Sequence, residues 1–232
     1  MLQKTVGIIG GLGPLATVAF MNSVLKHTPV KNGRDHLHMI VDCNPKVPDI
    51  NAAALGVGPS AAEALVRGCK RLEAAGADFI VMVCNAAHIY EDQLRHAVSL
   101  PFVSMIDETI RAIQSHSARY KYIGLLASDG CIRSELYQER FVNAGLGPIL
   151  QTDEEQQRLT RTLAQIASGN IGPEIRLDIL GLIDALVKRG AETVVLACSE
   201  IALVDLNGVR TSVVDPCVEL AKSTIRFALS EE

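Results

Sequence analysis

Short apolar runs of strand length alternate along this chain with longer segments in which apolar and polar residues mix at helical spacing. The runs at residues 4–9, 37–42, 78–83, 102–104, 122–126, 193–197 and 212–214 read as strands. The segments at 15–26, 61–75, 106–117, 132–144, 154–168, 173–189 and 216–229 read as helices. Local punctuation supports these limits. Pro14 suits a first helical turn, and Gly76 stops the helix that precedes the third strand. The run at 78–83 is almost wholly apolar, the signature of a strand buried on both faces of a parallel sheet. Alternation of this kind predicts βαβ units and doubly wound sheets.

The pattern also repeats. Lys4-Thr5-Val6-Gly7-Ile8-Ile9-Gly10-Gly11-Leu12-Gly13 aligns with Lys121-Tyr122-Ile123-Gly124-Leu125-Leu126-Ala127-Ser128-Asp129-Gly130, each residue 117 positions on. Gly76-Ala77-Asp78-Phe79-Ile80-Val81-Met82-Val83-Cys84-Asn85 aligns with Gly190-Ala191-Glu192-Thr193-Val194-Val195-Leu196-Ala197-Cys198-Ser199, each 114 positions on. A helix-ending glycine, an acidic residue, an apolar strand and a terminal cysteine recur together, so one duplication accounts for both matches. The expected fold is α/β, with two similar doubly wound parallel-sheet halves related by an internal pseudo-twofold repeat. Residues 1–105 are expected to form the first half and 106–212 the second, with 213–232 packing back on the first.

Composition narrows the function classes. Apolar residues make up 48% and charged residues 21%, the balance of a packed globular protein rather than a disordered one. A net charge of −4 with interspersed signs leaves no basic footprint for nucleic acid. Aromatics at 4%, with no tryptophan, leave no stacking platform for bases. The apolar runs fall far short of the roughly 20 residues that a membrane helix needs. The first residues enter a strand pattern with no signal-peptide core, so a cytoplasmic location without a membrane partner is expected. The six cysteines (43, 69, 84, 131, 198, 217) include no CxxC pair and no histidine at metal-ligand spacing. They read as free thiols with no metal.

Two of those cysteines carry the candidate chemistry. Cys84 and Cys198 each follow the carboxyl end of an apolar strand, the edge at which open α/β sheets bind ligands. Helix N-termini there favour negative charge, so both thiols are expected to shift toward thiolate. A pseudo-twofold axis would set them face to face across the cleft between the halves. A thiolate could then remove a proton from one side of a carbon while the opposing thiol returned one to the other. Inverting a stereocentre uses both groups; hydrolysis needs no twin cysteine. Cys43, Cys69, Cys131 and Cys217 read as small core hydrophobes.

Gly10-Gly11-Leu12-Gly13 lacks GxGxxG spacing, and the residues near position 30 are Lys31, Asn32, Gly33 and Arg34. A tight turn whose backbone approaches a small anionic substrate fits better than a dinucleotide site. His88 either hydrogen-bonds at the cleft or caps local backbone. Glu200 either positions the Cys198 thiol or is a first-turn acid favoured by the helix dipole.

At these residues the chain resembles a known family. Gly10-Gly11-Leu12-Gly13-Pro14, Cys84-Asn85-Ala86-Ala87-His88 and Cys198-Ser199-Glu200-Ile201 resemble the GGxGP, CNTxH and GCTE motifs of the aspartate/glutamate racemase superfamily, in particular its two-cysteine, aspartate-racemase-like amino-acid racemases. Asn44-Pro45-Lys46-Val47-Pro48-Asp49 resembles the NPxxPDR stretch, and Gly124-Leu125-Leu126-Ala127-Ser128 resembles GLLAT, so the resemblance spans nearly the whole chain. It implies no pyridoxal phosphate or other cofactor. It also implies Cys84 and Cys198 as the two acid–bases, with Asn85, Ala86 and Ser199 beside the substrate carboxylate through backbone N–H groups or side chains, and Leu12 and Ser128 among the substrate-binding residues.

The departures from the family pattern bear on the substrate. The PDR arginine, a carboxylate clamp, falls on Ile50, and the lysine of a KxGN-like stretch falls on Ala167. Family threonines fall on Ala86, Ser128, Cys131 and Ser199. Serine keeps the hydroxyl, but isoleucine and alanine cannot pair with a carboxylate. Lys46, Arg133 or Arg176 would rescue a second carboxylate only if the fold turned one inward.

The expected activity is cofactor-independent racemisation or epimerisation at Cα of an amino acid or related α-substituted acid, not optimised for aspartate. Two alternatives stand beside it. One is a superfamily decarboxylase or cis–trans isomerase, although decarboxylation needs only one proton donor. The other is a non-catalytic ligand-binding descendant. Apolar content and the superfamily's habit lead us to expect a homodimer.

Overall fold

The apolar runs form the strands of two parallel four-stranded sheets in a computed structural model that describes residues 3–116 and 120–230. The first sheet has β1 (Val6–Gly10) and β3 (Phe79–Met82) at its centre, with β2 (Met39–Cys43) and β4 (Phe102–Val103) at its edges, in the order β2-β1-β3-β4. The second has β5 (Tyr122–Ala127) and β7 (Thr193–Ala197) at its centre, with β6 (Gly147–Ile149) and β8 (Ser212–Val214) at its edges, in the order β6-β5-β7-β8. One topology used twice is what the internal repeat predicts.

Helices cover both faces of each sheet. In the first half these are α1 (Pro14–His27), α2 (Ile50–Ala54), α3 (Ala62–Ala74), α4 (Glu91–Ala97) and α5 (Met105–Ser115). In the second they are α6 (Asp129–Arg133), α7 (Leu136–Asn143), α8 (Asp153–Ala167) and α9 (Pro173–Lys188). Period-2 alternation sends β1 residues to opposite faces. Val6 and Ile8 pack with Phe20 and Val24 of α1, while Ile9 joins the core that runs between the halves. The last helix, α10 (Pro216–Leu229), follows β8 but buries Cys217, Leu220 and Ala221 in the first half's core. Phe227 meets Phe79 with ring centroids 4.6 Å apart.

Several boundaries differ from the sequence pattern. The single helix expected at 132–144 is two helices, broken where Glu135 takes a left-handed φ of 53°. The helix expected at 106–117 ends at Ser115, and Ser117 lies outside the described residues, as do Met1 and Leu2. Three short elements, α2, α4 and β6, are additional. Cys43, expected in the core, is exposed because it ends the edge strand β2.

The duplication extends to packing detail. A Cβ at Gly7 would lie 2.9 Å from the Ala77 Cβ and 3.1 Å from that of Leu72. At the equivalent Gly124 it would lie 3.0 Å from the Ala191 Cβ and 3.2 Å from that of Leu186. Each glycine lets the helix before the neighbouring central strand, α3 or α9, rest directly on the sheet. Gly7→Ala and Gly124→Ala should therefore each lose about 1–3 kcal/mol through overpacking. Urea denaturation midpoints test this, and unchanged midpoints would show that the layers can separate without cost.

Candidate active site

Each duplicated strand delivers its cysteine to the same place. After β3 the chain passes Cys84 and enters a 3₁₀ turn, Ala86–Tyr90; after β7 it passes Cys198 and enters another, Ser199–Leu203. Both cysteines are nearly buried, at 8% and 9% exposure, and both line one cavity of about 390 Å³ between the halves. The cavity brings together Leu12, Ile50, Asn85, Ala86, Ser128, Ala167 and Ser199 as well, and Glu200 forms part of its wall.

Local structure explains how the walls are held. Gly11 has a φ of +85°, and a Cβ there would lie 2.3 Å from the Asn44 amide nitrogen, so only glycine fits this turn. The Thr17 hydroxyl accepts a hydrogen bond from the Gly11 N–H at 2.9 Å and donates to the Gly13 carbonyl at 3.0 Å. The Asp49 carboxylate caps α2 by accepting from the Asn51 and Ala52 N–H groups, which places Ile50 against the cavity. From the other half, Gly130 of α6 comes so close to Asn51 that a Cβ would lie 2.8 Å from Oδ1.

His88 resolves to the structural one of its two readings and does not line the cavity. Its Nε2 accepts from the Met105 N–H at 3.1 Å, which leaves Nδ1 to donate to the Cys84 carbonyl at 2.7 Å. Burial lowers its pKa, so it holds the turn as a neutral ring. Glu200 satisfies both of its readings. It stands in the first turn after β7, and its Oε2 accepts a hydrogen bond from the Cys198 thiol at 3.1 Å and from the Ser199 hydroxyl at 3.3 Å.

The charge pattern is one-sided. Asp49 and Glu200 are the ionisable carboxylates of the lining, and no lysine or arginine joins them among the described residues. Lys46 and Arg133 are exposed, and the Arg176 guanidinium is taken by the carbonyls of Asp205 and Asn207. None of the three replaces the missing clamp. Asp49 and Asn51 are wall residues without an assigned role in the sequence pattern, although Asp49 closes the Asn44–Asp49 motif and Asn51 lies two residues beyond it.

A family model described as Asp/Glu/Hydantoin racemase matches residues 9–228. The broad specificity amino-acid racemase RacX of Bacillus subtilis is 27% identical over 230 residues, covering 97% of this chain and 98% of that protein. Among solved structures, the Picrophilus torridus aspartate racemase superposes with a TM-score of 0.87 at 26% identity, covering 97% of this chain and 94% of that one. An aspartate racemase homologue from Pyrococcus horikoshii gives 0.79 at 25% identity, over 98% and 100% of the two chains.

Electrostatics overturn one expectation from sequence. The thiols were expected to shift toward thiolate, but burial pushes Cys84 up to about 12, with the Glu200 carboxylate adding to it. The N–H groups of Ala87 and Ala86 pull the other way and lose. Cys198 is raised well above its ordinary value by burial first and then by Glu200. Both sulfurs are therefore neutral thiols at pH 7. Alkylation of Cys198 by iodoacetamide should still be accelerating at pH 10, and should be slow at pH 8 beside the exposed Cys43. Glu200→Gln removes the negative charge, lowers the thiol pKa and should speed Cys198 alkylation several-fold at pH 8. Peptide mapping by mass spectrometry reads both rates, and equal rates in wild type and variant would refute the assigned role of the carboxylate.

Proposed function

The chain belongs to the Asp/Glu/hydantoin racemase family, and from that premise we propose that it is a cofactor-independent amino-acid racemase with Cys84 and Cys198 as its acid–base pair. The observation that carries this reading is the arrival of two cysteines, from equivalent places in duplicated halves, at one cavity. The likeness to RacX and to aspartate racemases supports the reaction class. Free cysteines, one of them exposed, are in keeping with a cytoplasmic location.

In this reading the substrate supplies the charge that the cavity lacks. An α-ammonium about 4 Å from a sulfur stabilises the thiolate by roughly 4 kcal/mol at an effective dielectric of about 20. The two thiols are not equivalent. Glu200 Oε2 accepts the Cys198 S–H hydrogen bond and so holds that thiol in its protonated form until the substrate ammonium binds. With the ammonium bound, the Cys198 proton passes to solvent, the Cys198 thiolate takes the Cα proton, and the Cys84 thiol protonates the opposite face of the resulting carbanion. The return direction exchanges the roles of the two sulfurs.

The substrate side chain meets Ile50, 6% exposed, where the family's basic clamp would lie. A second carboxylate would stand unpaired near Asp49 and Glu200, at a cost of several kcal/mol. A neutral side chain instead gains about 25 cal/mol per Å² of apolar surface buried. We therefore read neutral amino acids as preferred over aspartate and glutamate.

A panel of enantiopure amino acids incubated in D₂O and followed by NMR and chiral chromatography tests the reaction. The proposal expects deuterium at Cα together with inversion; release of CO₂, or binding with neither change, would replace it. For the substrate, kcat/KM should favour neutral amino acids over aspartate, and Ile50→Arg should shift that ratio toward aspartate by tenfold or more. A wild type that already prefers aspartate, with no gain from Ile50→Arg, would sink the clamp argument.

A further inference from the structure

Asn85 sits where the halves meet. It lines the cavity but is only 2% exposed, and its two amide atoms are treated differently. Oδ1 accepts a 2.6 Å hydrogen bond from the Tyr137 hydroxyl, while Nδ2 is buried with no hydrogen-bond partner. Buried amide nitrogens without partners are rare in folded proteins. One on a residue that lines a cavity points to a place where a ligand acceptor belongs.

Tyr137 comes from the other half. It lies on α7, is fully buried, and packs against Phe141 with ring centroids 5.7 Å apart. Burial raises its phenol well above the ordinary value, so the hydroxyl always carries the proton it donates. An asparagine amide has nearly the same shape in both orientations, and a half-turn about its last bond exchanges acceptor for donor. With Oδ1 facing the cavity, the amide would repel a carboxylate. With Nδ2 facing it, the amide donates to one.

Building on the racemase reading above, we propose that Tyr137 is a positioning residue for the substrate's α-carboxylate: its hydroxyl holds Oδ1 of Asn85 and so turns Nδ2 toward the cavity. The cavity offers no basic side chain for that carboxylate, so the orientation of this amide carries unusual weight. Because Tyr137 and Asn85 belong to different halves, carboxylate recognition is complete only when the halves are in contact. The same junction holds the Arg140–Asp107 ion pair at 3.0 Å and the close approach of Gly130 to Asn51.

Tyr137→Phe removes the hydroxyl and keeps the ring. For the neutral amino acid that wild type racemises best, KM should rise about tenfold while kcat stays within about threefold. In an Asn85→Ala background, where no amide remains to be oriented, adding Tyr137→Phe should leave KM unchanged. A loss that served only folding would lower the thermal midpoint and act equally in both backgrounds. An unchanged KM in Tyr137→Phe, or an undiminished effect on top of Asn85→Ala, overturns the proposal. If wild type racemises no amino acid, the functional reading fails on its own. Calorimetric binding of L-alanine and L-alaninamide then decides the matter: a hydroxyl-dependent preference for the carboxylate supports the role of Tyr137, and its absence ends it.

Discussion

A cavity that holds two thiols and two carboxylates, with no basic side chain among the described residues, holds its sulfurs as neutral thiols. The other features of the site follow from that imbalance. Backbone N–H groups stand under the sulfurs, but they do not outweigh burial and the carboxylate. The proposed reaction therefore draws its thiolate from the substrate's own ammonium, which offsets burial and the Glu200 carboxylate. Catalytic competence and substrate recognition become one electrostatic event. A second negative charge on the substrate works against both.

Duplication supplies the symmetry, and divergence breaks it. Gly7 and Gly124 occupy matching contacts under matching helices, so each half seats its helix on the central strands in the same way. Beyond the cysteines the copies differ. Asn85 and Ala86 in the first half stand where Ser199 and Glu200 stand in the second. One copy thus holds a neutral amide aligned from across the interface, and the other holds a carboxylate hydrogen-bonded to its thiol. This division suits a carboxylate-binding wall on one side and a wall that holds its thiol protonated on the other.

The repeat and the central strands were legible in the sequence because they rest on local pattern: apolar runs, helix-ending glycines and cysteines at fixed offsets. Residues that the motifs nominated do converge on one cavity. The sequence pattern missed β6, whose Gly147-Pro148-Ile149 has neither the length nor the composition of a strand and is ordered by pairing with β5. It also missed the break at Glu135, since glutamate favours helix and nothing in the local sequence signals its left-handed φ of 53°. The direction of the thiol shift was misread because helix-end dipoles can be inferred from sequence, whereas burial and the reach of Glu200 cannot. Tyr137 was invisible for the same reason. Its partner is 52 residues away, in the other half.

The central claim is that two thiols from two copies of one half act on opposite faces of one carbon. Proton exchange at Cα in D₂O, followed separately for each enantiomer in Cys84→Ser and in Cys198→Ser, addresses it most directly. The account predicts that both variants lose racemisation, and that each retains exchange of one enantiomer only, the opposite one in the two variants. Full racemisation by either variant, or retained exchange of the same enantiomer in both, would contradict it.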